Sequence, residues 1–133
     1  MKTDRMAIPA VAMALLLSAI LAAQQPADLV GTWSGDATLE GVGEPNTLTL
    51  VLELKEGQLA GHMTDQYEAI DADITDIVLE QGTFNFSVTV LYGPGNHQGT
   101  AKFKMKVLEN IMKGELEIPE MNAKGAWQAT RQK

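Results

Sequence analysis

Leu29-Val30-Gly31-Thr32-Trp33-Ser34-Gly35-Asp36-Ala37-Thr38-Leu39 decides the fold. Gly31, Trp33, Gly35, Ala37 and Leu39 are apolar or small, while the intervening Thr32, Ser34, Asp36 and Thr38 are polar. Successive side chains of a strand point to opposite faces, so this alternation describes a strand with one face in a core and the other in water. The end of the chain supplies its partner: Lys124-Gly125-Ala126-Trp127-Gln128-Ala129-Thr130-Arg131 reads as a last strand. An even number of up-and-down strands brings that last strand alongside the first, with Arg131 next to Trp33, and the pairing closes a barrel.

Six further strands lie between them. Leu48, Leu50, Leu52 and Leu54 point inward from the second, and Leu59, Gly61 and Met63 from the third, with His62 pointing out. The fourth runs from about Ile74 to Glu80, where consecutive Ile77, Val78 and Leu79 leave its register open. Phe84, Phe86, Val88 and Val90 line the fifth; Phe103, Met105 and Val107 alternate with Lys102, Lys104 and Lys106 in the sixth; Met112, Gly114, Leu116 and Ile118 line the seventh. The reading is all-β: an eight-stranded antiparallel up-and-down barrel. Its connections alternate between long and short, with tight turns at Glu56-Gly57, Gln81-Gly82 and Glu109-Asn110. In a meander alternate connections share an end, so the four long loops crowd one rim, and the tight turns lie at the other with both ends of the barrel chain. Binding functions concentrate in such loops.

The chain has 133 residues, enough for one domain with a core and too few for two ordinary ones. Lys2 and Arg5 precede an apolar run from Ala7 to Ala23 that ends in small residues, the pattern of a secretory signal peptide and shorter than a spanning helix needs. Residues 1–23 are therefore expected to form a signal helix that is cleaved, an uncleaved anchor being the alternative. Residues 24–28 are expected to be a linker and 29–133 the barrel, exported to the periplasm or beyond. No cysteine is present, so neither a disulfide framework nor a lipoprotein-type attachment site is available. Losing Lys2, Asp4 and Arg5 moves the formal charge from −7 to −8. Such a surface repels phosphate backbones and anionic headgroups, which argues against nucleic acid and, after cleavage, against membranes as partners.

The Gly31-Thr32-Trp33 opening and the Trp127-Gln128-Ala129-Thr130-Arg131 ending resemble the signature of the calycins, the lipocalin and avidin superfamily. The resemblance implies that Arg131 covers Trp33 at the closed end, a cation over an aromatic face. Taken with Gly57-Gln58-Leu59-Ala60-Gly61 on the third strand, that opening and ending are most similar to the avidin-like branch. Biotin binders of that branch use several inward polar groups and several tryptophans, whereas the inward positions here are nearly all apolar and Trp33 and Trp127 are the only tryptophans. The guest expected from those faces is apolar or amphipathic, not a sugar or biotin.

Tyr67, Tyr92, His97 and Met121 fall in or beside the long loops and are the candidate ligand-binding residues: aromatic and thioether groups to line an entrance, hydroxyls and an imidazole to orient a polar group. Asp65, Glu68, Asp71, Asp73 and Asp76 form the densest acidic group, but they lack the glycine and terminal glutamate of a calcium loop and read as a solvated segment. His62 and His97 have no cysteine or second histidine nearby to complete a metal set. No nucleophile elbow, inward carboxylate pair or phosphate-cradling loop is present, so no catalytic residue, metal or cofactor is assigned. The rival to a small-molecule carrier is a module that contacts or inhibits another exported protein through the same rim, and a filled structural barrel is the third reading.

Overall fold

The computed structural model describes residues 25–133, so the expected signal helix over residues 1–23 lies outside the described residues. The described chain is a nine-stranded antiparallel sheet coiled into a nearly closed barrel. Its strands are β1 (Gly31–Leu39), β2 (Asn46–Lys55), β3 (Gln58–Asp65), β4 (Asp71–Asp73), β5 (Thr75–Glu80), β6 (Thr83–Tyr92), β7 (His97–Leu108), β8 (Ile111–Ile118) and β9 (Ala123–Arg131). Their order is β4-β3-β2-β1-β9-β8-β7-β6-β5. The first and last strands are neighbours, with Trp33 opposite Arg131 and Ala37 opposite Trp127.

Nine strands replace the expected eight because the fourth does not run straight. Asp71, Ala72 and Asp73 pair with Thr64, Met63 and His62 of β3, and after Ile74 the chain leaves β3 and pairs with β6. The register between β5 and β6 shifts between Thr75 and Val78, and Asp76 in the shift has φ 52°. A bulge of this kind turns a strand sharply, and aspartate tolerates the left-handed conformation better than most residues. The two ends of the sheet are thus successive parts of one bent segment, and the barrel is closed mainly by the covalent chain around Ile74. A further bond, Leu91 N–H to Ala69 O at 2.8 Å, ties β6 to the loop before β4. The same bend settles the register left open by the sequence: Ile77 and Leu79 pack on the core and Val78 faces out.

Elsewhere the alternation translates directly into burial. Leu48, Leu50 and Leu52 of β2, Phe84, Phe86, Val88 and Val90 of β6, and Ala101, Phe103, Met105 and Val107 of β7 are all buried. Each such leucine or phenylalanine contributes about 1.5–3 kcal/mol by leaving water. Leu54 departs from the expectation and is exposed, since it sits at the end of β2 beside the Glu56-Gly57 turn. Phe86 stacks on Phe103 at 4.6 Å, and Phe103 meets Trp127 edge-on at 5.6 Å. This aromatic cluster fills the middle of the barrel.

Below it lies the floor. Pro26–Leu29, three residues of the expected linker and the first expected of the barrel, forms a short 3₁₀ turn, so β1 begins at Gly31 and not at Leu29, which is wholly buried. Buried Trp33 donates its indole N–H to Leu29 O at 2.9 Å. The Arg131 guanidinium lies 4.5 Å from the centre of the Trp33 ring and donates to Val30 O, Asp28 O and Asn110 Oδ1. One side chain therefore joins the start of the described chain, the β8 approach and the last strand.

Candidate functional site

The opposite end is open. The loops formed by residues 40–45, 66–70, 93–96 and 119–122 all lie there, and a cavity of about 250 Å³ opens among them. Its floor is Phe103, at the top of the aromatic cluster, and its walls are Ala37 and Leu39 of β1, Leu48 of β2, Val90 of β6, Ala101 of β7, and Leu116 and Ile118 of β8. These are inward positions of their strands, so the alternation that builds the core also builds the cavity. Val42, Glu44, Asn46, Tyr67 and Ile70 form its lip. The volume is slightly below the usual range of about 300–1,000 Å³ for ligand pockets, which suits a small guest or one end of a longer one. Larger depressions of about 500 and 640 Å³ lie on the outside over β7, β8 and β9. They run between lysine and glutamate side chains, the larger also over Gly114, Ala126 and Trp127, and a further depression of about 490 Å³ lies beside the Gln81-Gly82 turn at the end away from the long loops.

The lip is held by a polar lattice. Asn46 Nδ2 donates to Asp65 Oδ2 at 2.8 Å, Ile70 N–H donates to Asp65 Oδ1 at 3.0 Å, and Thr47 and Gln66 bond each other through Thr47 N–H to Gln66 Oε1 and Gln66 N–H to Thr47 O. Loop 66–70 is thereby fixed to the start of β2, and Tyr67 and Ile70 are placed over the opening. Asn46 Oδ1 is buried and has no hydrogen-bond partner.

Of the residues singled out from the sequence, Tyr67 lines the cavity and is 57% exposed. Tyr92 and His97 face each other across the β6–β7 hairpin, ring centres 5.7 Å apart, and Met121 sits in a 3₁₀ turn, Pro119–Met121; these three belong to the rim but not to the cavity wall. The structure brings Tyr67 together with residues that the sequence reading passed over, chiefly Glu44, Asn46 and Ile70. Asn46 was within reach: it shares the parity of Leu48, Leu50 and Leu52, so extending the inward face of β2 by one step brings it into the mouth. Ile70 carried no such signal, because its placement depends on the Asp65 bond.

The acidic residues disperse into separate tasks. Asp65 holds the lip, Asp76 occupies the bulge, and Asp71 and Asp73 flank exposed His62, whose Nε2 and Nδ1 lie 2.6 and 2.8 Å from their carboxylate oxygens. Asp73 first, then Asp71, raise the His62 pKa above its ordinary value, and His62 holds Asp73 below the usual carboxylate range. Among the described residues no three histidine, aspartate or glutamate side chains are placed to hold a metal ion. Comparison with known proteins finds no family model, no curated protein and no solved structure that matches the chain.

Proposed function

We propose that the protein is an exported, calycin-like barrel that binds a small apolar or amphipathic molecule in the cavity at its long-loop rim. The observation carrying this reading is the coincidence of an apolar hollow with the end where all four long loops meet, in a barrel otherwise filled by side chains. Export rests on the signal-like residues 1–23, and kinship with the calycins rests on Trp33 and Arg131 with the strand order they join. The experiment is a titration of the purified protein with environment-sensitive apolar fluorophores, repeated on Ala37→Leu, which fills space in the cavity from β1. Saturable enhancement that weakens at least about tenfold in the variant supports the reading, tenfold being the loss of roughly 1.4 kcal/mol of binding free energy.

One observation favours a second reading. Val42, Tyr67 and Met121 are exposed on the same rim, and exposed apolar side chains grouped on loops also suit a protein surface. A rim that binds no small molecule yet retains a partner through Val42 and Tyr67 would fit that account.

A further inference from the structure

The charged side chains of the long loops are of one sign. Loops 40–45, 66–70, 93–96 and 119–122 contain Glu40, Glu44, Glu68 and Glu120 and no lysine, arginine or histidine. The bases near the rim face outward or sideways: His97 starts β7 against Tyr92, and Lys102 and Lys124 stand opposite Glu117 on the outer face, where they share a groove with Glu40 and Lys102 also acts on Glu120. Glu120 accepts Thr100 N–H at 3.1 Å, and this backbone bond keeps its carboxyl below the usual range and so ionised at neutral pH.

The lip itself repeats the pattern. Its polar members are Glu44, Asn46 and Tyr67. The Asp65 carboxylate can only accept, so the Asn46 amide must turn its NH₂ toward Asp65, which leaves Oδ1 without that partner. That oxygen is the buried polar atom without a partner among the described residues. Tyr67 adds an exposed aromatic face, which attracts cations. A guest with a carboxylate end would meet the Glu44 carboxylate and, among the side chains of the lip, only the Asn46 NH₂, already given to Asp65, and the Tyr67 hydroxyl as donors. A guest with an ammonium end would find acceptors and a favourable field.

We infer that the guest is an amphipathic amine: a small hydrocarbon tail seated between Ala37, Leu48 and Phe103, with its ammonium group at the Glu44 carboxylate and the Tyr67 ring. This inference rests on the apolar-cavity reading above and adds the chemistry of the polar end.

The test uses hexylamine, 1-hexanol and hexanoate, which share one tail, as competitors for a bound fluorophore or directly by calorimetry. At low salt hexylamine should bind about tenfold or more tighter than hexanoate, with hexanol between them. The gap should shrink in Glu44→Gln, whose exposed loop position spares the fold, and again at about 0.5 M salt, where the screening length falls below about 5 Å. Equal affinities, or tighter hexanoate, would overturn the ammonium assignment while leaving the apolar cavity standing. Failure of all three compounds to bind saturably would overturn both.

Discussion

Arg131 and three glycines show how much depends on single positions. Arg131→Ala removes a cation from the Trp33 face together with four hydrogen bonds, to Val30 O, Asp28 O, Glu109 O and Asn110 Oδ1. The expected loss of stability is about 1–3 kcal/mol, of which about 0.5–2 is the cation on the ring and the rest the hydrogen bonds, whose exposed acceptors water can take over in part. Arg131→Lys should recover only part of it, because an ammonium cannot reach all these acceptors as the planar guanidinium does; full recovery in urea unfolding would contradict the geometry. Gly35, Gly61 and Gly114 lie on inward faces, where a missing side chain would by itself leave room inside the barrel. The structure gives them other roles. A methyl group at Gly35 would fall 1.8 Å from Gln128 O, and one at Gly114 would fall 2.0 Å from Lys104 O, so both mark close backbone crossings. At Gly61 the space is taken by Leu52 and Ile74. Gly114→Ala should therefore destabilise by about 1–3 kcal/mol through forced strand displacement, and an unchanged unfolding midpoint would refute the close approach.

At the scale of elements, the sequence displayed straight strands clearly and a bent one poorly. Period two in β2, β6 and β7 comes from burial of one face against a core, which the residues record directly. Around residues 71–80 the pattern breaks because the two halves pair with different partners: Asp71–Asp73 serves β3 and Thr75–Glu80 serves β6, and the bulge at Asp76 changes the parity. Pairing partners are a long-range property that no local pattern contains. The tight turns were legible, yet their backbone sets a constraint that the residues meet imperfectly. Gln81 and Gly82 both have positive φ, 41° and 86°, which is the geometry of a hairpin turn that favours asparagine followed by glycine. Gln81→Asn should stabilise by about 0.5–1 kcal/mol in thermal or denaturant unfolding, since asparagine enters the left-handed region at lower cost than glutamine.

The short β4 is held at its outer face by His62. Groups facing the imidazole are Asp71 and Asp73 on β4, with Val51 opposite it on β2 and Lys55 further along that strand acting on Asp73. Because the folded protein raises His62 above 6.5, the stabilisation is fully present below that pH and is lost as pH rises through the raised value. Asp73 works in the other direction: its lowered pKa contributes stability above 3.8 that is lost as pH falls through the folded value. The clasp is thus strongest between those limits. Imidazole resonances of His62 followed by NMR should titrate above 6.5, and the β4 amides of Ala72 and Asp73 should shift with them in wild type but not in His62→Gln. A midpoint at or below 6.5 would dissolve the clasp.

For the whole molecule, the alternation of long and short connections gathers the four long loops at one end, since chain direction in a meander leaves no freedom about which loops share a rim. What it could not place was the depth of the hollow, which depends on how Phe86, Phe103 and Trp127 stack across the barrel. Nor could it place the lip, which depends on Asp65 reaching both Asn46 and Ile70. Packing against the floor by Trp33, Leu29 and Arg131 makes one end rigid and leaves the other to loops, the division expected of a scaffold that carries a site at its rim. The central claim is that this rim cavity, and not the charged outer grooves, receives a small apolar guest. Its most direct test is an NMR titration with hexylamine on isotopically labelled protein. The account predicts saturable shifts concentrated at Leu39, Val42, Leu48, Ile70, Val90 and Phe103, with Leu29 and Trp33 at the floor unmoved. Saturable shifts confined to Lys104, Lys113 and Gln128 on the outer face, or no saturable shift anywhere, would contradict it.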